Sequence, residues 1–167
     1  SLPILLPMML RDGRGLGLRP STASLLAGLF FAGDLAFWHY GIRYTSVANA
    51  TVLANLSPVV VTAVAWFLFR ERPGRIFMVG LTLALAGAWT MAAGAAKGQS
   101  SAPLLGDILS LTTAAWYALY FIAMRRARQG EGASRAMFWS SLATAPVMLI
   151  VALAMGEPIL PGSMGGW

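Results

Sequence analysis

Residues 47–75 read VANATVLANLSPVVVTAVAWFLFRERPGR. Up to Phe69 no residue is charged, and the close then packs Arg70, Glu71, Arg72 and Arg75 into one short turn. A helix rises about 1.5 Å per residue, so about 20 mostly apolar residues cross the hydrocarbon core of a bilayer. Val47–Phe69 has that length and that composition. It reads as a membrane span closed by a basic turn, and the rest of the chain alternates in the same way.

Working outward, further spans are expected at Ser24–Tyr44, Ile76–Ala96, Leu104–Met124 and Ala136–Met155. The opening SLPILLPMML is apolar but covers only about half a bilayer. It has neither the charged start nor the cleavage site of a signal peptide and reads as the tail of a helix that begins earlier. Of 167 residues, 57% are hydrophobic and only 11% charged. Soluble domains carry about 25% charged residues, and disordered chains are poor in apolar ones. Both classes are excluded. With no cysteine, disulfides, thiolate nucleophiles and cysteine metal sites are excluded too.

The net charge is +6. The basic residues do not form the patch expected of a nucleic-acid binder; they lie in short runs between spans. Arg11, Arg14 and Arg19 precede the first full span, Arg70, Arg72 and Arg75 follow the second, and Arg125, Arg126, Arg128 and Arg135 follow the fourth. Arg43 and Lys97 lie toward the other side. By the positive-inside rule, loops 11–19, 70–75 and 125–135 are cytoplasmic, and the five spans then alternate consistently in direction.

Packing between helices in lipid depends on small residues. Gly80, Gly87 and Gly94 recur every seven positions, with Ala84 and Ala88 between them, and predict a packing stripe. Pro58 and Pro146 interrupt their spans, freeing the carbonyls of Ala54 and Leu142 and supplying bends. Asn55, one turn before Pro58, fits either a gated polar cavity or a bond to a neighbouring helix.

Asp34 falls at the centre of its span, where a charge costs at least about 2.5–3.5 kcal/mol on insertion scales. It fits a proton-linked switch, a substrate contact or a bonded packing group. By helical periodicity it aligns with Trp38, and His39 aligns with Arg43. Trp66 and Trp139 near the cytoplasmic span ends read as interfacial belt residues. Trp116, Tyr117 and Tyr120 lie deeper, and Thr113, Trp116 and Tyr120 share a face. With Trp38, Tyr40 and Tyr44 they either line an aromatic, weakly charged pocket for a neutral or zwitterionic solute, or simply pack. Catalytic signatures are missing: there is no HExxH, no GxSxG and no dinucleotide fingerprint, and the acidic residues Asp34, Glu71 and Asp107 fall at different depths.

Several features in order and spacing resemble the drug/metabolite transporter superfamily, in particular its EamA-type exporters. They are RYTS before the second span, Ala48, Ala50 and Pro58, Arg70-Glu71 after that span, Gly80 and Gly87, and then Gly106-Asp107, Trp116 and Tyr120. The resemblance implies an all-α bundle belonging to a ten-helix transporter of two inverted repeats. Residues 1–98 would be the later part of the first repeat and 99–167 the opening of the second, as part of a longer chain. It further implies a secondary transporter that exports small metabolites, neutral or aromatic amino acids foremost, across the cytoplasmic membrane by alternating access. No cofactor, metal or nucleic-acid partner is expected. The substrate-site candidates are Asp34, Trp38, His39, Tyr40, Asn55, Trp116, Tyr117 and Tyr120, with bends at Pro58 and Pro146. Glu71 and Asp107 read as boundary residues with structural roles. A non-transporting membrane scaffold and an intramembrane enzyme are the alternatives.

Overall fold

The computed structural model describes residues 5–7, 19–94 and 102–156. Six helices carry the architecture: α1 (Thr22–Tyr44), α2 (Val47–Ala54), α3 (Ser57–Phe69), α4 (Arg75–Gly94), α5 (Pro103–Glu131) and α6 (Ala133–Ala154). No strand occurs among the described residues. Thr22–Tyr44, Val47–Phe69, Leu104–Glu131 and Ala133–Ala154 are long and apolar enough to cross a membrane, while α4 contributes a shorter apolar run, Arg75–Thr90. The protein is an all-α polytopic membrane protein. The expectations for Ser1–Leu10, Arg11, Arg14, Lys97 and the segment after Gly156 lie wholly or mainly outside the described residues.

The distribution of side chains fits lipid as solvent. Large apolar groups face outward, with Ile76 91% and Phe67 76% exposed. The buried positions are held by small residues, among them Ala27, Ala32, Ala114, Ala136, Ser24 and Ser110. Small side chains let backbones approach, which is how helices gain contact when lipid tails are as apolar as leucine.

The chain forms two compact units, residues 1–32 with 123–167 and residues 33–122. In the first unit, the start of α1 runs parallel to α6. Arg135 Nη2 donates to the Arg19 carbonyl (3.2 Å), and further along both helices the Thr144 hydroxyl reaches the Gly28 carbonyl (2.9 Å). Gly28 allows this approach, because a Cβ there would overlap the Ser140 carbonyl and stand 2.6 Å from Ala143 Cβ. Ser21 caps α1 by accepting the Ser24 N–H (3.0 Å) and donates its hydroxyl to Glu131 Oε1 (2.8 Å). Glu131 also pairs with Arg135 (3.7 Å) one turn on.

In the second unit, the later part of α1 runs antiparallel to the start of α5. Gly33 meets the Trp116 ring, Gly41 meets Ser110, and Thr45 meets Gly106. These directions match the alternation expected from the arginine runs. α2 packs on α4.

Two boundaries differ from expectation. The fourth span was expected to end at Met124, yet α5 continues to Glu131, so Arg125, Arg126 and Arg128 lie on the helix. Buried Ala127 and the Ser21–Glu131 bond explain the extra turns. Gly132 then turns the chain into α6 at φ 84°, a conformation that glycine adopts without penalty. The stripe in α4 also differs: nothing among the described residues lies within 4 Å of a Cβ at Gly80 or Gly87. Of the two tryptophans expected at the interface, Trp66 is exposed, whereas Trp139 has its indole Nε1 buried without a partner among the described residues.

Candidate functional site

The span 47–69 is two helices, and the junction organises its surroundings. Asn55 donates its backbone N–H to Thr51 O (2.9 Å) and Leu56 to Leu53 O (3.1 Å), a tightened turn that ends α2. α3 then begins with Ser57 and Pro58, where proline's missing N–H is not needed. The Ala54 carbonyl, expected to be free, is taken by the Ser57 hydroxyl. Leu56 O accepts from both Val59 (2.9 Å) and Val60 (3.2 Å). The break thus closes its own hydrogen bonds, as lipid requires. Asn55 itself is exposed, and its side chain makes no hydrogen bond among the described residues.

Within the second unit, α3, the 70–74 turn, the start of α4 and α5 enclose an open cleft of about 400 Å³. Pro58, Val61, Ala65, Phe77, Tyr117 and Phe121 make its apolar wall; Thr62, Glu71, Arg72 and Pro73 complete the lining. Pockets for small ligands are mostly apolar with a few polar groups fixing orientation. This cleft fits that description, with one acid and one base among its lining residues. The turn is shaped by Arg70, which ends α3 in the left-handed region (φ 54°, ψ 25°).

The expected site residues divide into groups. Pro58 and Tyr117 line the cleft, and the Tyr120 ring packs on Tyr117 at a 50° tilt (5.6 Å between ring centroids). Trp116 is used otherwise: its ring lies on Gly33 and beside Phe37 (5.7 Å), packing α5 against α1. Trp38, His39 and Tyr40 are half-buried on α1. Asp34 is buried at 9% exposure and makes no hydrogen bond or ion pair among the described residues. Pro146 lies in the first unit, exposed, and α6 runs through it as continuous helix. Among the described residues no cluster of three histidines or acids could hold a metal.

A second polar group, which sequence reading passed over, stands where α1 gives way to α2. Ser46 caps α2 by accepting the Asn49 N–H (3.1 Å). The Asn49 side-chain amide donates to Asp107 Oδ1 (2.5 Å) and lies 3.3 Å from Thr45 Oγ1. The start of α5 comes this close because residue 106 is glycine: a Cβ there would sit 2.7 Å from Thr45 Cβ. A cap at Ser46 followed by Asn49 at the third helical position was the available signal.

Compared with known proteins, the chain matches the model of the EamA-like transporter family over residues 1–93, more than half its length. No curated protein and no solved structure matches it. The members of that family are transporters of small molecules and not enzymes.

Proposed function

The chain belongs to the EamA-like transporter family, and from that membership we propose a secondary carrier that exports neutral and aromatic amino acids. The observation that carries the reading is the cleft of about 400 Å³ beside the α2–α3 break. Its wall of Phe77, Tyr117 and Phe121 suits an apolar or aromatic side chain. Thr62, Glu71 and Arg72 add polar groups to the lining, the few that a mostly apolar ligand site needs. Asp34, Trp38, His39, Tyr40, Asn55, Trp116 and Tyr120 would serve the path or its supports, and Pro58 and Pro146 its bends. In this reading, 1–98 and 99–167 belong to two inverted repeats that rock against each other, giving alternating access to the substrate path. The arginine runs put loops 11–19, 70–75 and 125–135 in the cytoplasm, and the membrane is the cytoplasmic membrane.

Counterflow tests it. The purified full-length protein in liposomes is preloaded with neutral or aromatic amino acids, and uptake of trace label is followed. Saturable exchange that prefers aromatic substrates is the expected result. Absence of exchange across a broad amino-acid panel, with the protein folded, would overturn the substrate assignment.

A further inference from the structure

We propose that the Asn49–Asp107 hydrogen bond is a latch. It holds the half-helix α2 against the start of α5, and α2 swings about the Asn55–Leu56 break when the bond opens. The device gates the end of the span opposite the Arg70–Arg75 turn. As a gate it rests on the transport reading above; as a latched hinge it does not.

Three observations converge. The first is the pivot. A break inside a membrane span normally leaves backbone groups that lipid cannot satisfy. Here the Asn55 and Leu56 N–H groups bond back into α2, the Ser57 hydroxyl takes the Ala54 carbonyl, and Leu56 O starts α3. Pro58 has no N–H for the Ala54 carbonyl, so the junction is tied there by the Ser57 hydroxyl, which can rotate to follow a change of angle that a fixed backbone N–H could not. Short tightened turns within a helix commonly mark hinges.

The second is the lever. α2 has 8 residues, and its first turn is held stiffly by the Ser46 cap. That cap fixes the Asn49 backbone, so its amide is presented in one direction. The third is the catch. Asp107 is half-buried and receives the Asn49 amide at 2.5 Å, and the carboxylate partner strengthens the bond beyond a neutral pair. The bond joins residues 58 positions apart in sequence, so it ties α2 to another helix and not to its own turn. Gly106 beside it brings the two backbones together, which gives the bond a defined closed state. A polar tie to another helix, at the far end of a half-helix that ends at a proline junction, is the arrangement of a latch. A purely packed junction would need neither the amide nor the carboxylate.

The test uses the full-length protein, whose sequence here contains no cysteine. A reporter cysteine replaces Leu53 on α2 and, in a separate protein, Val64 on α3. Each is combined with Asn49→Asp, which removes the donor and sets two carboxylates face to face, with Asp107→Asn, and with both together. The double exchange restores a donor and an acceptor with their places swapped. Labelling by an impermeant maleimide is timed from each face of the membrane, alongside the thermal midpoint.

If the latch exists, Asn49→Asp speeds labelling at position 53 about tenfold, the change expected for losing one charge-assisted hydrogen bond. Labelling at position 64 stays unchanged, and the double exchange returns position 53 to within about twofold of the parent. Unchanged labelling at 53 in a folded single variant overturns the proposal. So does equal acceleration at 64, or failure of the exchange to rescue. Misfolding of both single variants with rescue by the double would make the bond a static tie, and that outcome overturns the latch as well. Labelling needs no substrate, so failure of the latch and failure of the transport reading are separate results.

Discussion

Gly28→Ala adds one methyl group at the tightest approach between α1 and α6. The new Cβ would overlap the Ser140 carbonyl and stand 2.6 Å from Ala143 Cβ. Carbon atoms rest about 3.5–4.0 Å apart, so the helices must separate by about 1 Å. Overpacking of this kind costs about 1–3 kcal/mol. The separation also strains the Thr144–Gly28 bond (2.9 Å), worth about 0.6 kcal/mol for a typical interhelical bond in a membrane protein. Against this, alanine gains up to about 1 kcal/mol over glycine as a helix former. The balance is a loss of roughly 1–3 kcal/mol. Gly80→Ala is the control, because nothing described lies within 4 Å of a Cβ there. It is expected to be neutral or to stabilise by up to about 1 kcal/mol. Unfolding of the purified full-length protein in mixed micelles, titrated with denaturing detergent and followed by tryptophan fluorescence, compares the two. If both variants unfold at the same midpoint, the close approach of α1 and α6 is refuted.

Other consequences are as direct. Glu131→Gln weakens a carboxylate that accepts from Ser21 and pairs with Arg135; a loss of about 1–3 kcal/mol in the same unfolding assay is expected. Arg70→Gly relieves a left-handed residue (φ 54°). It should raise stability by about 1 kcal/mol and leave transport unchanged, so a lowered midpoint would contradict the strain. Tyr117→Ala removes cleft wall and the ring contact with Tyr120. It should raise the KM for aromatic amino acids about 3–10-fold in counterflow, as expected for one aromatic contact. Trp116→Ala, by contrast, should lower the unfolding midpoint while the protein still inserts, because its ring packs on Gly33 and Phe37.

Spans were legible because lipid makes length and apolarity nearly sufficient: a stretch such as Val47–Phe69 has few alternatives once it lacks charge. Directions were legible because arginines gather on one side, and the parallel pairing of α1 with α6 and the antiparallel pairing of α1 with α5 agree. Side-chain destinations were much less legible. Helical periodicity set Thr113, Trp116 and Tyr120 on one face, yet it cannot say which neighbour that face meets. Trp116 reaches α1, while Tyr117, one residue on, lines the cleft. Neighbours on a helix diverge by about 100°, so an aromatic cluster in sequence splits between two surfaces in space.

The proline at 58 shows how a local rule can be right in its chemistry and incomplete in its consequence. Proline does remove a donor, so the Ala54 carbonyl does lose its ordinary partner. The residue just before the proline supplies a replacement. Ser57 places a hydroxyl on that carbonyl, so the group expected to be free is satisfied locally. Asn55 is left exposed at the junction, and the polar contact that crosses between helices is made six residues earlier, by Asn49. Hydroxyls at Ser46 and Ser57 thus satisfy the backbone at the start and at the end of α2. An amide beside either can then bond another helix, because the backbone no longer needs it. In a membrane, where an unmet polar group is costly, that order of satisfaction makes Asn49 the tie to Asp107.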